Sequence, residues 1–312
     1  MWFYEKLLDF MGCRPLINAI ETHNFNLQYL QSRDGLQSVV APIFPALLFI
    51  ELLFFFILKR NSISELFNVY KIPVMSFFVS AFLLSYITFN FFMVIGDFFL
   101  KYSPVQVEYK WYWFIYAYVA WEFSHYIFHF SCHKVRLLWC MHSPHHAPTH
   151  MNLSVIFTAF FLHGVYAAVV RTSICAALGV PLPMLLFVMI LDACWGSLIH
   201  VSEEAMPKGK LWFLHRFILT PAHHRVHHAK NPEYIDKNYC NALNVWDRLF
   251  GTYQEEMDGV RPIYGVAREI NERSFFDMYF GEFACLIKDL RRTPALTDKI
   301  KLIFMPPGWK PC

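Results

Sequence analysis

The sequence predicts an all-α integral membrane protein of about four to five transmembrane helices, with a cytoplasmic helical cap holding a histidine-rich dinuclear metal site. Three observations carry this. The 312 residues are 56% hydrophobic and 19% aromatic, with only 16% charged, whereas a soluble domain carries about 25% charged residues. Several apolar stretches approach the ~20 residues that cross a bilayer as a helix. Fourteen of the fifteen histidines fall between His125 and His228, clustered where such stretches end.

Residues 1–38 read as an amphipathic surface segment. Residues 1–8 form no signal peptide, because Glu5 and Asp9 stand where a basic leader belongs and no long apolar run follows. The membrane-embedded domain covers 39–312. Its first span is 39–58, closed by Lys59 and Arg60, and its second, 73–100, is long enough to tilt or kink. The third, 111–130, carries His125 and His129 near its end. Residues 153–170 and 183–199 form a helical hairpin around Gly179 and Pro181. From 201 to 312 the chain turns polar and forms the cap, ending in a helix over 296–305 that Trp309 anchors at the interface or that packs on the cap.

Cytoplasmic loops are enriched in Lys and Arg. Lys59, Arg60 and Lys71 follow the first span, and Lys134 and Arg136 follow the third. Both loops lie on the same side as the cap, which puts the metal site in the cytoplasm and the N-terminus outside. The eight cysteines form no CxxC pair, so neither a zinc ribbon nor a disulfide framework is indicated. Cys132 and Cys140 are expected to be reduced. A net charge of +3 argues against a nucleic-acid partner.

The histidine spacing is the most specific signal. His125, His129 and His133 are four apart, followed by His142-Ser-Pro-His145-His146 and later by His224-Arg-Val-His227-His228. On a helix, positions i, i+3 and i+4 are neighbours, so each HxxHH trio is expected to converge on one metal ion. Ser143-Pro144 and Thr220-Pro221 read as helix starts, with Pro at the first helical position, which leaves His142 just outside its helix. Eight or nine imidazoles overfill one mononuclear site, so two ions are the natural count, and neutral imidazole suits iron, copper, nickel or zinc. His163 and His215 lie off the motif and read as core residues. His150 and His223 are adjacent to the clusters but outside their spacing.

Residues 122–146, with the later HxxHH, resemble the fatty acid hydroxylase/sterol desaturase superfamily. Its pattern is HxxxH, HxxHH and a second HxxHH, and the likeness covers roughly residues 110–310. Residues 220–253 look most like the alkylglycerol monooxygenase branch and its bacterial sterol-desaturase-like relatives. The resemblance implies two iron ions at the cytoplasmic membrane face. It assigns His129 and His133 to the first motif, His142, His145 and His146 to the second, and His224, His227 and His228 to the last, with His200 as a further ligand. Glu122 stands where relatives often have Asp and would orient a ligand imidazole. His125 replaces a usual aromatic and reads as a helix-face residue, and Phe130 replaces a frequent Arg. Glu203 and Glu204 lie within reach of the metals from beyond His200, and nothing in the sequence decides their role.

The implied activity is hydroxylation of a lipid C–H bond with O2, and in the ether-lipid branch this cleaves glyceryl ethers. That branch uses tetrahydrobiopterin as reductant, but the sequence itself reveals no pterin site. No cytochrome b5 or ferredoxin stretch is legible, so a separate electron donor is expected. The compartment is the endoplasmic reticulum in a eukaryote or the inner membrane in a bacterium. Two other classes stay open: a sterol or fatty-acyl hydroxylase or desaturase, and a non-catalytic metal-binding or metal-transport protein. A transporter should carry its ligands near mid-membrane, whereas these gather at span ends.

Overall fold

A computed structural model of the protein describes residues 14–23, 43–58 and 63–311. The expectations for residues 1–8 and for the Lys59-Arg60 break lie outside the described residues. The helices are α1 Arg14–Glu21, α2 Ile43–Leu53 with a π-helical turn Phe54–Leu58, α3 Ile63–Tyr102, α4 Trp113–Lys134, α5 Arg136–His146, α6 His163–Ala177 and α7 Leu182–Leu198. In the cap they are α8 Pro221–His227, α9 Val245–Phe250, α10 Phe275–Arg292 and α11 Leu296–Phe304. Short 3-10 turns occupy Leu153–Phe157 and Trp212–Arg216. Among the described residues β structure is limited to two isolated antiparallel bridges, Ile218 to Leu243 and Ala229 to Tyr264.

α6 lies against α3 and α4, α7 against α4, and α5 is held between α4 and α10. One core of Phe92, Ala120, Trp121, Cys175, Leu182, Met184, Leu185 and Val188 fills the space between α3, α4, α6 and α7. The turn from α6 to α7 demands a glycine. Gly179 sits at φ +80°, and a Cβ there would meet the Val105 carbonyl oxygen at 2.1 Å. A buried charge pair ties the same helices together. Arg171 of α6 donates to Asp192 of α7 at 2.7 Å and lies 3.7 Å from the Trp121 ring centre. Removing one partner of such a pair leaves a buried charge uncompensated, at about 3–5 kcal/mol.

Three expectations change. The 73–100 segment belongs to a 40-residue helix with Pro73 in its interior. Residues 153–170 are not one helix: Asn152 caps a 3-10 turn by accepting from Ser154 N at 2.9 Å, and α6 starts only at His163. Ser143-Pro144 does not start a helix, because α5 begins at Arg136 and Pro144 sits two residues before its end. The N–H that Pro144 lacks would have gone to the Cys140 carbonyl, and the Ser143 hydroxyl donates to that carbonyl instead, at 3.4 Å. His142 is therefore inside its helix. Thr220-Pro221 does open α8, with Thr220 at the N-cap and Pro221 at the first position.

No helix among the described residues is long and apolar enough to cross a membrane. α6 and α7, the expected hairpin, have 15 and 17 residues, against ~20 for a full crossing. The outer faces of α2, α3, α4 and α7 nevertheless expose Phe49, Ile50, Phe91, Val94, Phe98, Ile115 and Leu191 to the surroundings.

Candidate metal centre

Four helices converge at the junction between bundle and cap. α4 brings His129 and His133 from its last turns, α5 brings His142, His145 and His146, the end of α7 is followed by His200, and α8 brings His224 and His227, with His228 at its C-cap. The structure gathers all nine sequence-identified histidines into two groups. The first is His129, His133, His142, His146 and His227; the second is His145, His200, His224 and His228. Within each group the ligand-capable atoms lie within 4.8 Å of one another.

The trios do not each converge on one point, as the spacing suggested. On an α-helix, i and i+4 project about 40° apart, while i+3 projects about 60° to the other side of i. His142 and His146 accordingly join the first group and His145 the second. In α8 the division is reversed: His224 and His228 join the second group and His227 the first. Each HxxHH motif thus serves both groups, crosswise, and locks α5 to α8.

The outer nitrogens decide which way the rings point. Nδ1 of His129 donates to the Tyr239 carbonyl at 2.8 Å, that of His145 to Val155 at 3.2 Å, that of His200 to Gly196 at 2.5 Å and that of His227 to Lys237 at 2.8 Å. A carbonyl only accepts, so in these four rings Nδ1 holds the proton and Nε2 keeps its lone pair facing inward. Nε2 of His145 and Nε2 of His200 are 3.3 Å apart, two lone pairs with no proton between them. Other inward pairs are His129 to His142 at 3.0 Å, His142 to His146 at 3.1 Å, His200 to His224 at 2.9 Å and His224 to His228 at 3.1 Å. With metal–nitrogen bonds of ~2.1 Å, adjacent ligands on one ion stand about 3.0–3.4 Å apart. Nε2 of His133 and of His227 are buried without a hydrogen-bond partner. The donor set therefore fits two transition-metal ions.

Burial also holds these imidazoles neutral, the form that ligates. His145 and His227 are brought down to about 4, chiefly by desolvation. His133, His142, His146, His200, His224 and His228 lie well below the usual range for the same reason, reinforced by neighbouring histidines.

A second layer of residues fixes the first. Glu122 does not orient a ligand ring; its fully buried carboxylate accepts from Ala242 N at 3.1 Å and Leu243 N at 2.9 Å. Asp247, also fully buried, accepts from Tyr239 N at 2.7 Å, Cys240 N at 2.9 Å and the Thr252 hydroxyl at 2.7 Å. Together they clamp residues 239–243, whose Tyr239 carbonyl takes His129. Asp236 and Asn238 reach this clamp through the left-handed region, at φ +63° and +56°, which short polar side chains tolerate.

Sequence reasoning missed Asp247 and underrated His163. The His163 Nε2 lies 2.9 Å from the outer nitrogen of His142, and the two rings are stacked. No sequence signal marked it, because 153–170 reads as one helix and the break before His163 appears only in the structure. His125 is half-buried, its ring 5.3 Å from that of His129, but it belongs to neither group. His150 faces Glu272 at 3.9 Å. Glu203 turns to the hydroxyl of Tyr264 and to Arg261. Cys132 and Cys140 are free and buried.

One cavity adjoins the centre, and a second is lined by none of the nine histidines. The first, about 350 Å³, is walled by His133, His146, His227 and His228 on the inside and by Trp139, Ile235 and Val266 further out. The other, about 670 Å³, has apolar walls from Phe55, Leu66 and Val69 and polar ones from Asn152, Glu203 and Arg261. Lys230 borders both.

Residues 114–252 match the family model described as fatty acid hydroxylase. The chain is similar to human alkylglycerol monooxygenase, 27% identical over 311 residues that cover 96% of this chain and 66% of that protein. It is similar to the alkylglycerol monooxygenase of Xenopus tropicalis at 30% identity, over 64% of this chain and 43% of the relative. An ornithine lipid hydroxylase of Rhizobium tropici is 30% identical over 132 residues, 42% of this chain and 39% of that protein. The chain therefore spans two thirds or less of the relatives it matches. No solved structure matches.

Proposed function

We propose that this chain, which carries a fatty acid hydroxylase domain over residues 114–252, is a membrane-bound lipid monooxygenase with a dinuclear iron centre, acting on glyceryl ether lipids. The observation that carries the reading is the two-group histidine constellation facing a cavity whose outer walls combine apolar Trp139, Ile235 and Val266 with charged Lys230, Asp236, Arg268 and Glu282. His129, His133, His142, His146 and His227 would hold one ion, and His145, His200, His224 and His228 the other. When bound, the metal pair would supply the reductive activation of O2 that hydroxylating an unactivated C–H bond requires.

The chain's own residues bind, orient and exclude water. Backbone carbonyls of Tyr239, Val155, Gly196 and Lys237 hold four ligand rings in one tautomer. Trp139, Ile235 and Val266 wall the cavity against water and offer apolar surface to a lipid carbon. Hydroxylation of the carbon next to an ether oxygen gives a hemiacetal, which collapses to a fatty aldehyde and a glycerol derivative. One oxygen atom enters the lipid and the other leaves as water, so two electrons must come from a separate donor, for which tetrahydrobiopterin is the candidate. The apolar outer faces of α2, α3, α4 and α7 support a membrane setting. The likeness to alkylglycerol monooxygenases over most of the chain supports the ether-lipid substrate.

The test is lipid analysis of membranes holding active protein, supplied with O2, a reduced pterin and an alkylglycerol. The reading expects a fatty aldehyde to form. Turnover of sterols or acyl lipids with the ether lipid untouched would overturn the substrate assignment.

A further inference from the structure

Helix α2 is apolar except for Glu51, and that carboxylate is turned inward. Glu51 is buried, although Phe49, Ile50 and Leu53 beside it are exposed. Burying a carboxylate is costly unless its oxygens are satisfied. Both oxygens of Glu51 accept the backbone N–H of Leu153, at 2.8 and 3.0 Å, and Oε2 also accepts the hydroxyl of Tyr70 from α3 at 2.8 Å. The carboxylate thus joins α2 and α3 to the 3-10 turn Leu153–Phe157, at the first residue of that turn.

The same turn aims a candidate ligand. Two residues after Leu153, the Val155 carbonyl accepts the Nδ1–H of His145 at 3.2 Å and the backbone N–H of Thr158 at 2.9 Å. His145 belongs to the second group, and its Nε2 lies 3.3 Å from that of His200. In the first group, the outer nitrogens of His129 and His227 are held by the Tyr239 and Lys237 carbonyls, in the loop between α8 and α9. The contact made by Glu51 therefore leads to the second group.

Resting on the dinuclear reading of the nine histidines, we propose that Glu51 is a positioning residue for the metal centre. By holding the Leu153 N–H it fixes the turn that sets the Val155 carbonyl, and that carbonyl keeps the His145 ring with Nε2 turned toward His200. Glu51 touches no ligand itself. Without its bond to Leu153 the turn is free to shift, and the outer nitrogen of His145 loses its fixed acceptor. Loss of such outer contacts weakens metal binding ~10–100-fold.

The bond can be deleted from either side. Glu51→Met keeps the length of the side chain in an apolar helix but accepts nothing. Leu153→Pro removes the donor at a position that suits proline, because Asn152 before it is extended at φ −160° and ψ 170° and residue 153 opens the turn. Glu51→Gln keeps an oxygen for the Leu153 N–H. Each change is made in full-length protein carrying His146→Ala, which leaves the second-group ion, and in protein carrying His224→Ala, which leaves the first. Metal retained against graded chelator is read by elemental analysis, with folding checked by size exclusion. With His146→Ala, Glu51→Met and Leu153→Pro should each hold the ion ~10–100-fold more weakly than their parent. With His224→Ala both should match their parent, and Glu51→Gln should match it in either background. Undiminished retention by both deleting variants beside His146→Ala overturns the proposal. So does equal loss in the two backgrounds, the mark of a merely structural role, or a Glu51→Gln variant no better than Glu51→Met. Parents that hold no metal overturn the dinuclear reading and this proposal with it, whereas one ion in each parent without the selective loss overturns the role of Glu51 alone.

Discussion

Replacing Asp247 should empty half of the metal centre without touching a ligand. Its carboxylate is fully buried and takes three donors, the backbone N–H groups of Tyr239 and Cys240 and the Thr252 hydroxyl. Asp247→Ala strands the two backbone donors away from water. An unsatisfied buried donor costs ~1–3 kcal/mol, so the pair costs ~2–6 kcal/mol. Asp247→Asn keeps one acceptor oxygen but turns an NH2 toward a donor, and should cost about half as much. The loss reaches the metal through the Tyr239 carbonyl, which fixes His129 of the first group. Changes in such supporting residues weaken metal binding ~10–100-fold. The second group, tied to Val155 and Gly196, should be spared. The assay is metal content after dialysis against graded chelator, with thermal unfolding measured on the same samples. Asp247→Ala should fall from two ions to one at a chelator strength that leaves wild type full, with Asp247→Asn between them. If the alanine variant matches wild type in both metal retention and unfolding temperature, the clamp has no such role and the reasoning fails.

Three further outcomes follow from the same geometry. His163→Ala should release the His142 ring and weaken the first-group ion ~10–100-fold, whereas His163→Gln, which keeps a hydrogen-bonding group, should recover part of it; equal retention in both would refute the role. His228→Ala should cost the second-group ion and His227→Ala the first, so either substitution in one HxxHH motif leaves a single ion, and loss of both ions in each would contradict the crosswise division. The metal-free protein should be acid-labile: His145 and His227 hold about 4 when folded against about 6.5 unfolded, so the unfolded chain binds more protons between those values. Stability is then lost as pH falls from about 6.5 toward about 4, by about 3 kcal/mol per histidine at most; unfolding of the metal-free protein that is flat from pH 7 to 4.5 would count against neutral, buried imidazoles.

The sequence made the helical class and the nine histidines legible because a run of spaced imidazoles has little other use. It did not disclose their division. Spacing of three and four says which side chains are neighbours, while the split between His142, His146 and His145 depends on the orientation of α5 against α8, a tertiary fact. Local signals misled at Pro144, since a Ser-Pro pair fits either end of a helix and only the packing of α5 on α4 and α10 selects the C-terminal one. Residues 153–170 looked like one apolar helix, yet their break is what exposes the Val155 carbonyl to His145. Glu122 and Asp247 show a further limit. Glu122 is read from sequence as a carboxylate near a metal motif and Asp247 is not singled out at all, yet both spend their oxygens on backbone N–H groups, whose positions no side-chain pattern records.

The most direct measurement is the metal count of the freshly purified, dialysed full-length protein by elemental analysis, beside His146→Ala, His224→Ala and the double variant. Two histidine groups sharing crossed motifs predict two ions in wild type, one in each single variant and none in the double, with folding checked by size exclusion. A folded wild type without bound metal, or single variants that keep the wild-type count, would contradict the dinuclear centre.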